Sequence, residues 1–163
     1  MSETATGTLT VTLPSDLELQ LSRVLNAPRV RVFEAWTQPE HVRQWWGQKD
    51  STMVVCEIDL RVGGAWRFVE HAADGNEYPF RGEYNEVTPP ERLVHTFIFD
   101  VEPFNARPAI VTVTFEELGG QTRVTETMLF ETVEDRDGMV QSGMETGAAE
   151  SYDRLDALLM RLS

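Results

Sequence analysis

The chain has 163 residues, of which 41% are hydrophobic and 25% are charged. This composition is typical of one folded soluble domain and excludes a globally disordered or fibrous protein. The 14 basic and 27 acidic residues give a formal charge of −13 at pH 7. A chain this negative is repelled by phosphate backbones and by anionic lipid surfaces, so nucleic-acid binding and membrane-surface binding are both disfavoured.

Cysteine content and apolar runs indicate the compartment. Cys56 is the single cysteine, which excludes an intramolecular disulfide and fits a reducing environment. The first 15 residues lack the basic start and apolar stretch of a secretory signal. No apolar run approaches the ~20 residues of a membrane-spanning helix. We therefore expect a cytoplasmic protein with no membrane span, with a flexible tail over residues 1–14 and one domain over residues 15–163.

The first part of the domain predicts a strand and two short helices. Residues 17–22 alternate apolar and polar side chains, which is the period of a half-buried strand. Asn26 and Pro28 are typical of a helix start, and Pro39 begins a second short helix that ends at Gly47.

Two consecutive tryptophans, Trp45 and Trp46, lie in the second predicted helix. Neighbouring side chains on a helix point in different directions. We expect one of the two to pack beneath the edge of the sheet. The other is expected to line the mouth of a pocket or a surface that contacts a partner.

From residue 52 to residue 131 the hydrophobic period is two, and turn residues divide this stretch into six strands. The turns contain Gly, Asn and Pro, which favour reversals of the backbone. Short connections in series predict an antiparallel meander, so with the first strand the sheet has seven strands. The six predicted strands span residues 53–58, 65–71, 78–87, 93–99, 109–117 and 122–130.

An apolar stripe at helical spacing predicts one long C-terminal helix of about 28 residues that starts near Glu134. Gly143 and Gly147 lie in its first half, where each glycine costs about 1 kcal/mol relative to alanine. The missing side chains indicate either close backbone packing or empty space beside the helix. The sheet is expected to curl, and this helix is long enough to cover its concave face.

His95, Glu70 and Glu126 are the polar residues that alternation places on, or near, the aromatic face of the sheet. His95 and Glu126 are the candidates for acid–base chemistry, because a buried polar group is costly unless it is paired or used. A histidine satisfied by a backbone or hydroxyl partner is the alternative for His95. The alternation leaves both orientations of Glu126 open.

Metal and nucleophile motifs are absent from the sequence. The three histidines lie in separate predicted elements, and no metal-binding spacing, phosphate loop or nucleophile elbow is present. We predict no metal site and no cofactor. Cys56 is interpreted as a small core residue.

Three segments form a distinctive series: NAPRVRVFEAWT at residues 26–37, WWG at residues 45–47 and EIDLRVGGAWRF at residues 57–68. With further matches over 82–93 and 143–159, the chain resembles bacterial proteins similar to the C-terminal domain of the activator of the heat-shock protein 90 ATPase. The resemblance covers roughly residues 17–161. It implies an α+β helix-grip fold of the SRPBCC superfamily, shared with START lipid-transfer domains and polyketide cyclases. In that fold a hydrophobic cavity lies between sheet and helix, so the resemblance favours empty space beside the helix glycines.

This resemblance leaves the function open, because the fold hosts binders, carriers, enzymes and co-chaperones. The first hypothesis is that an unidentified hydrophobic or aromatic small molecule binds in the cavity. The alternatives are a stress-response co-chaperone that contacts a heat-shock chaperone ATPase, and a cyclase- or hydrolase-like enzyme that uses the same cavity. Homodimer formation is left open. The predicted ligand-binding residues are Trp45, Trp46, Trp66, Phe68, Phe80, Tyr84, His95, Phe97, Val113, Phe115, Met128, Gly143, Met144 and Gly147.

Overall fold

Residues 8–162, which the computed structural model describes, contain one antiparallel sheet of eight strands and four α-helices. The strand order across the sheet is β1-β2-β8-β7-β6-β5-β4-β3, so the six strands from β3 to β8 form the predicted meander. The strands are β1 (Thr10–Thr12), β2 (Glu18–Leu25), β3 (Thr52–Ile58), β4 (Ala65–His71), β5 (Glu77–Thr88), β6 (Arg92–Phe99), β7 (Ala109–Glu117) and β8 (Thr122–Leu129). The helices are α1 (Arg29–Thr37), α2 (Pro39–Trp45), α3 (Val133–Gln141) and α4 (Met144–Leu162).

The sheet has one strand more than the predicted seven. The additional strand, β1, pairs with β2 so that Thr10 lies opposite Ser22. Three residues are too few to produce a recognisable alternation, and pairing with β2 is what stabilises this edge strand. It lies inside the segment predicted as a flexible tail, whose residues 1–7 are outside the described part of the chain.

The prediction of one long C-terminal helix is wrong, because the chain forms two helices, α3 and α4, separated at Gly143. Gly143 has a φ of +85°, a left-handed conformation that favours glycine and that a continuous right-handed helix does not contain. The apolar stripe continues through Val140 and Met144 on either side of this break. The periodicity therefore gave no sign that the helix is interrupted.

Only the C-terminal half of α4 packs tightly on the sheet. Its buried residues begin at Tyr152 and continue with Leu155, Leu158 and Leu159, each 2% exposed or less. In contrast, Ala148 is partly exposed and α3 has no buried residue. The helices therefore cover one half of the concave face closely and the other half loosely.

Gly82 in β5 marks a close approach of three strands. It lies opposite Trp66 of β4, whose buried indole Nε1 lacks a hydrogen-bond partner among residues 8–162. A methyl group added at position 82 would lie 2.5 Å from that nitrogen and would overlap the carbonyl oxygen of Thr96 in β6. Only glycine leaves room for the indole and the neighbouring strand here.

We predict that Gly82→Ala lowers the free energy of unfolding by about 2 kcal/mol, because the added methyl group overlaps backbone atoms that have little freedom to move. Gly138→Ala in α3 is the matched control. It places a methyl group where no atom lies within 4 Å, so we expect a gain of about 0.5–1 kcal/mol from helix propensity. Urea denaturation followed by circular dichroism measures both, and equal midpoints for the two variants would contradict the packing described for Gly82.

Candidate ligand-binding site

The part of the concave face that β4, β5 and β6 contribute is incompletely covered, and we call the space beside it the cleft. The inner face of these three strands is called its floor. The name roof is used for α3 and the first half of α4, which contain no buried residue. Floor residues Phe80, His95, Phe97 and Phe99 are each partly exposed although they face the helices. Solvent therefore reaches an aromatic surface that a tightly packed core would have covered.

The aromatic rings of the floor are in continuous contact. Trp46, which follows α2, lies 5.1 Å from Phe68 and 4.8 Å from Phe80 between ring centroids. Phe80 in turn lies 5.6 Å from Phe97, and Trp66 lies 5.9 Å from Phe97. These separations are typical of favourable edge-on and offset ring pairs, so the floor is a stable surface even when nothing covers it.

Trp45 and Trp46 point in different directions, as the sequence predicted. Trp45 is 2% exposed, donates its indole N–H to the Ala35 carbonyl at 2.8 Å, and lies 4.7 Å from the Trp36 ring. Trp46 is only partly buried and belongs to the floor of the cleft. Trp45 is thus a core residue, and only Trp46 stays a candidate for ligand contact.

Six more predicted ligand-binding residues are buried, each 7% exposed or less: Trp66, Phe68, Tyr84, Val113, Phe115 and Met128. Val113 and Phe115 of β7 are 0% and 2% exposed, and Phe115 contacts the rings of Phe33 and Trp36 of α1 at 5.3 Å and 5.6 Å. Tyr84 is 5% exposed beside His95, with ring centroids 6.0 Å apart. Alternation identified the face of these residues, but α1 and α4 decide which part of that face is covered.

The glycines of the roof are not explained by close packing. A methyl group at Gly143 would have no atom within 4 Å, and one at Gly147 would meet only the Gln48 side chain at 3.7 Å. Gly147 therefore borders the segment after α2 and not the sheet. Ala148 lies four residues before Tyr152 and therefore on the same face of the helix. It is the small residue of the roof on the side of the sheet. Ala148 is not among the ligand-binding residues predicted from the sequence.

Glu126 of β8 points into the concave face, the inward orientation that the sequence left open. The Tyr152 hydroxyl donates to Glu126 Oε2 at 2.6 Å, and burial raises the pKa of this carboxyl. Tyr152 was missed in the sequence. Its position on the α4 stripe, four residues after Ala148, is the signal that could have identified it.

Arg23 of β2 is a second missed residue, although its alternation with Leu19 and Leu21 places it on the concave face. It is 3% exposed and lies 2.8 Å from Asp153 and 3.9 Å from Asp156 of α4. The two carboxylates compensate the guanidinium charge. This ion pair fastens α4 to the edge of the sheet beside the cleft.

His95 is hydrogen-bonded to the backbone of the next residue. A histidine satisfied by a backbone partner was the alternative to a catalytic role. Its Nδ1 lies 2.9 Å from the Thr96 carbonyl oxygen, and burial lowers the pKa of the imidazole to about 4. The ring is therefore neutral at pH 7. Because Nδ1 donates to a carbonyl, the proton lies on Nδ1, and Nε2 is a hydrogen-bond acceptor.

Glu70 has a structural role at the end of the cleft. Its side chain is buried and accepts a hydrogen bond from the backbone N–H of Gln48. Ser151 of α4 holds the same segment, since its hydroxyl donates to the Gly47 carbonyl at 2.6 Å and accepts from the Gly47 N–H at 2.9 Å. These bonds fix the position of the adjacent Trp46.

Residues 8–162 contain neither a candidate metal site nor a candidate membrane-spanning helix. Within this part of the chain no three His, Cys, Asp or Glu side chains are grouped so as to hold a metal ion. No helix there combines the length and apolar character that crossing a bilayer requires. Cys56 is buried, and burial raises the pKa of its thiol, which disfavours the reactive thiolate.

We predict that His95 makes stability fall on acidification between about pH 6.5 and pH 4. In this window an unfolded histidine binds a proton that the folded protein excludes, so the unfolded state gains stability as pH falls. The His95→Gln variant keeps a donor for the Thr96 carbonyl but does not titrate. Urea denaturation of both proteins at pH 7.5 and pH 4.5 should show the larger loss in the wild type. Equal losses would contradict a buried neutral imidazole.

Comparisons with solved structures support the fold. A protein from Rhodobacter sphaeroides is 24% identical, with a TM-score of 0.86 over 96% of this chain and 100% of its own. A protein from Mycobacterium smegmatis is 26% identical, with a TM-score of 0.84 over 93% and 97%. One from Chromobacterium violaceum is 30% identical, with a TM-score of 0.74 over 86% and 96%.

No curated protein matches the chain significantly. A comparison with protein families matches residues 26–160 to the family described as Activator of Hsp90 ATPase homolog 1-like protein. This match extends from the residues before α1 almost to the end of α4. It includes every strand and helix that forms the cleft. The chain therefore belongs to the family of Activator of Hsp90 ATPase homolog 1-like proteins and has the SRPBCC-type fold.

Proposed function

We propose that this protein binds a hydrophobic or aromatic small molecule in the cleft between β4–β6 and the α3–α4 roof. The observation that carries the proposal is the aromatic floor, whose residues Phe80, His95, Phe97 and Phe99 stay partly exposed beside a roof of small residues. A contiguous apolar surface of this kind commonly marks a ligand or partner site. The fold supports the same reading, because SRPBCC-type folds commonly bind hydrophobic ligands between sheet and helix.

Apolar contact alone gives only weak binding here. Covering roughly 200 Å² of apolar surface contributes about 5 kcal/mol. Association itself costs at least about 4 kcal/mol in lost freedom of motion. A specific ligand therefore needs polar anchoring as well, and the polar side chains beside the floor, Glu126 and His95, are suited to provide it.

A co-chaperone role on a heat-shock chaperone ATPase is the second candidate, and a different observation favours it. Phe104, in a single 3₁₀ turn between β6 and β7, is 62% exposed and stacks on Phe99 at 5.7 Å. An exposed aromatic residue in a loop suits protein docking. The substrate of a cyclase- or hydrolase-like reaction would be the same molecule that the first candidate function places in the cleft.

The proposed cleft predicts that Ala148→Leu weakens the binding of an uncharged apolar probe about tenfold. The larger side chain would occupy space in front of the sheet, one helical turn before Tyr152. The probe is N-phenyl-1-naphthylamine, whose fluorescence rises in an apolar site. Ala157→Leu makes the same change at an exposed position of α4 and should leave binding unchanged.

Circular dichroism checks that both variants fold. Equal probe affinities in the two variants would contradict the position of the site, and no binding to the wild type would contradict the proposal itself. In that second case the docking role of the Phe104 loop becomes the better interpretation.

A further inference from the structure

Glu126 is a partly buried carboxyl group on the concave face, and its charge has no partner among residues 8–162. On β8 it lies opposite Leu21 of β2 and Val113 of β7, which are 3% and 0% exposed. Its Oε2 accepts the Tyr152 hydroxyl, and its Oε1 has no hydrogen-bond partner among residues 8–162. None of the ion pairs formed in this part of the chain includes Glu126.

Three arginines on elements that border the cleft are already paired with carboxylates of the chain. Arg23, whose guanidinium lies 6.0 Å from the Tyr152 ring, is bound by Asp153 and Asp156. At the α3 end of the roof, Arg107 is paired with Asp135 at 2.7 Å. Arg136 of the same helix is paired with Asp137 at 2.9 Å. Compensation for Glu126 must therefore come from outside the chain or from a proton.

An unpaired carboxylate surrounded by apolar side chains is unfavourable, and burial accordingly raises the pKa of Glu126. The Tyr152 hydroxyl donates a hydrogen bond but carries no charge. An ammonium group supplies both a positive charge and three donors, and such charge-assisted bonds are the stronger kind.

The remaining polar groups of the cleft favour the same partner. With its proton on Nδ1, His95 offers Nε2 as a second acceptor. The register of the sheet relates His95 to Glu126. His95 lies opposite Val111 of β7, and Val111 lies opposite Met128 of β8. Met128 is the next inward residue after Glu126 on that strand. Both acceptors thus lie on the concave face, with the buried Val111 and Met128 between them. Among residues 8–162 no unpaired cation lies beside either acceptor to meet an anionic ligand.

Aromatic rings next to Glu126 and along the floor also suit a cation. Tyr152 touches it directly and is itself 5.8 Å from Trp36, while the floor of the cleft begins at His95 and continues to Trp66 and Phe97. The faces of such rings attract cations. The formal charge of −13 would also steer a cation toward the protein.

We propose that the ligand of the cleft is an apolar or aromatic primary amine, bound as its ammonium ion with the charged group on Glu126 and the apolar body along His95 and Phe97. This inference rests on the proposed function, since it names the chemical class of the molecule that the cleft binds. This ligand class differs from that of carriers of fatty acids and other apolar carboxylates, which bind anions.

Isothermal titration with three naphthalene compounds tests the assignment: 2-(1-naphthyl)ethylamine, 2-(1-naphthyl)ethanol and 1-naphthaleneacetate. They share the ring and differ in the charge of the polar group. At pH 7 the amine should bind at least about tenfold more tightly than the alcohol, and the carboxylate should bind most weakly. An alcohol or carboxylate that binds as tightly as the amine would overturn the assignment.

The Glu126→Gln variant keeps an acceptor for Tyr152 and removes the charge, so amine affinity should fall about tenfold while alcohol affinity stays within about twofold. Glu116→Gln, the same change on the outer face of β7, should alter neither. A preference for the amine that survives in Glu126→Gln would refute the role of this residue. If that variant does not fold, the wild-type order of affinities still decides, and binding of none of the three compounds would refute the cleft itself.

Discussion

Burial of one face of α4 against the sheet is the interaction on which the rest of the structure depends. Tyr152, Leu155, Leu158 and Leu159 are removed almost completely from solvent, and each large apolar side chain contributes about 1.5–3 kcal/mol. The ion pair of Arg23 with Asp153 fixes the helix in register with β2. The first half of α4, which has no buried residue, covers the sheet less closely. The proposed cleft therefore depends on how α4 is anchored.

The polar groups of the concave face have contrasting environments. Arg23 and Glu70 are buried and have partners within the chain: the charge of Arg23 is paired with Asp153, and Glu70 accepts the N–H of Gln48. Glu126 has a neutral partner only, and His95 is neutral with one nitrogen unengaged. Stability alone would favour an apolar residue at position 126. An uncompensated polar group of this kind is the usual sign that local stability has been given up for function.

Much of the fold was predictable because its signals are local. Alternation located the six strands of the meander and assigned the aromatic residues to one face. Helix geometry predicted that the side chains of the adjacent Trp45 and Trp46 point in different directions. Two errors arose where the signal is not periodic: β1 is only three residues long, and the helix break depends on the backbone conformation of Gly143. A local pattern does not show these features.

The candidate site was harder to predict than the fold. Alternation places Phe115 and Phe97 on the same face, but only the three-dimensional packing shows that Phe115 is fully buried and Phe97 only partly. Tyr152 contacts Glu126, and Arg23 contacts α4, across more than 20 residues of sequence. Such long-range contacts depend on the register of the strands and the helix. Family membership gives the fold and leaves the ligand open.

Methyl NMR of the methionines tests most directly whether the cleft is the binding site. Met128, Met139 and Met144 lie at or above the concave face, Met53 is buried in β3, and Met160 is 63% exposed near the end of α4. Saturating the protein with 2-(1-naphthyl)ethanol should shift the signals of Met128 and Met144 through ring currents and leave Met53 and Met160 unchanged. Shifts confined to Met160, or no shift at any methionine, would contradict a ligand site between the sheet and the α3–α4 roof.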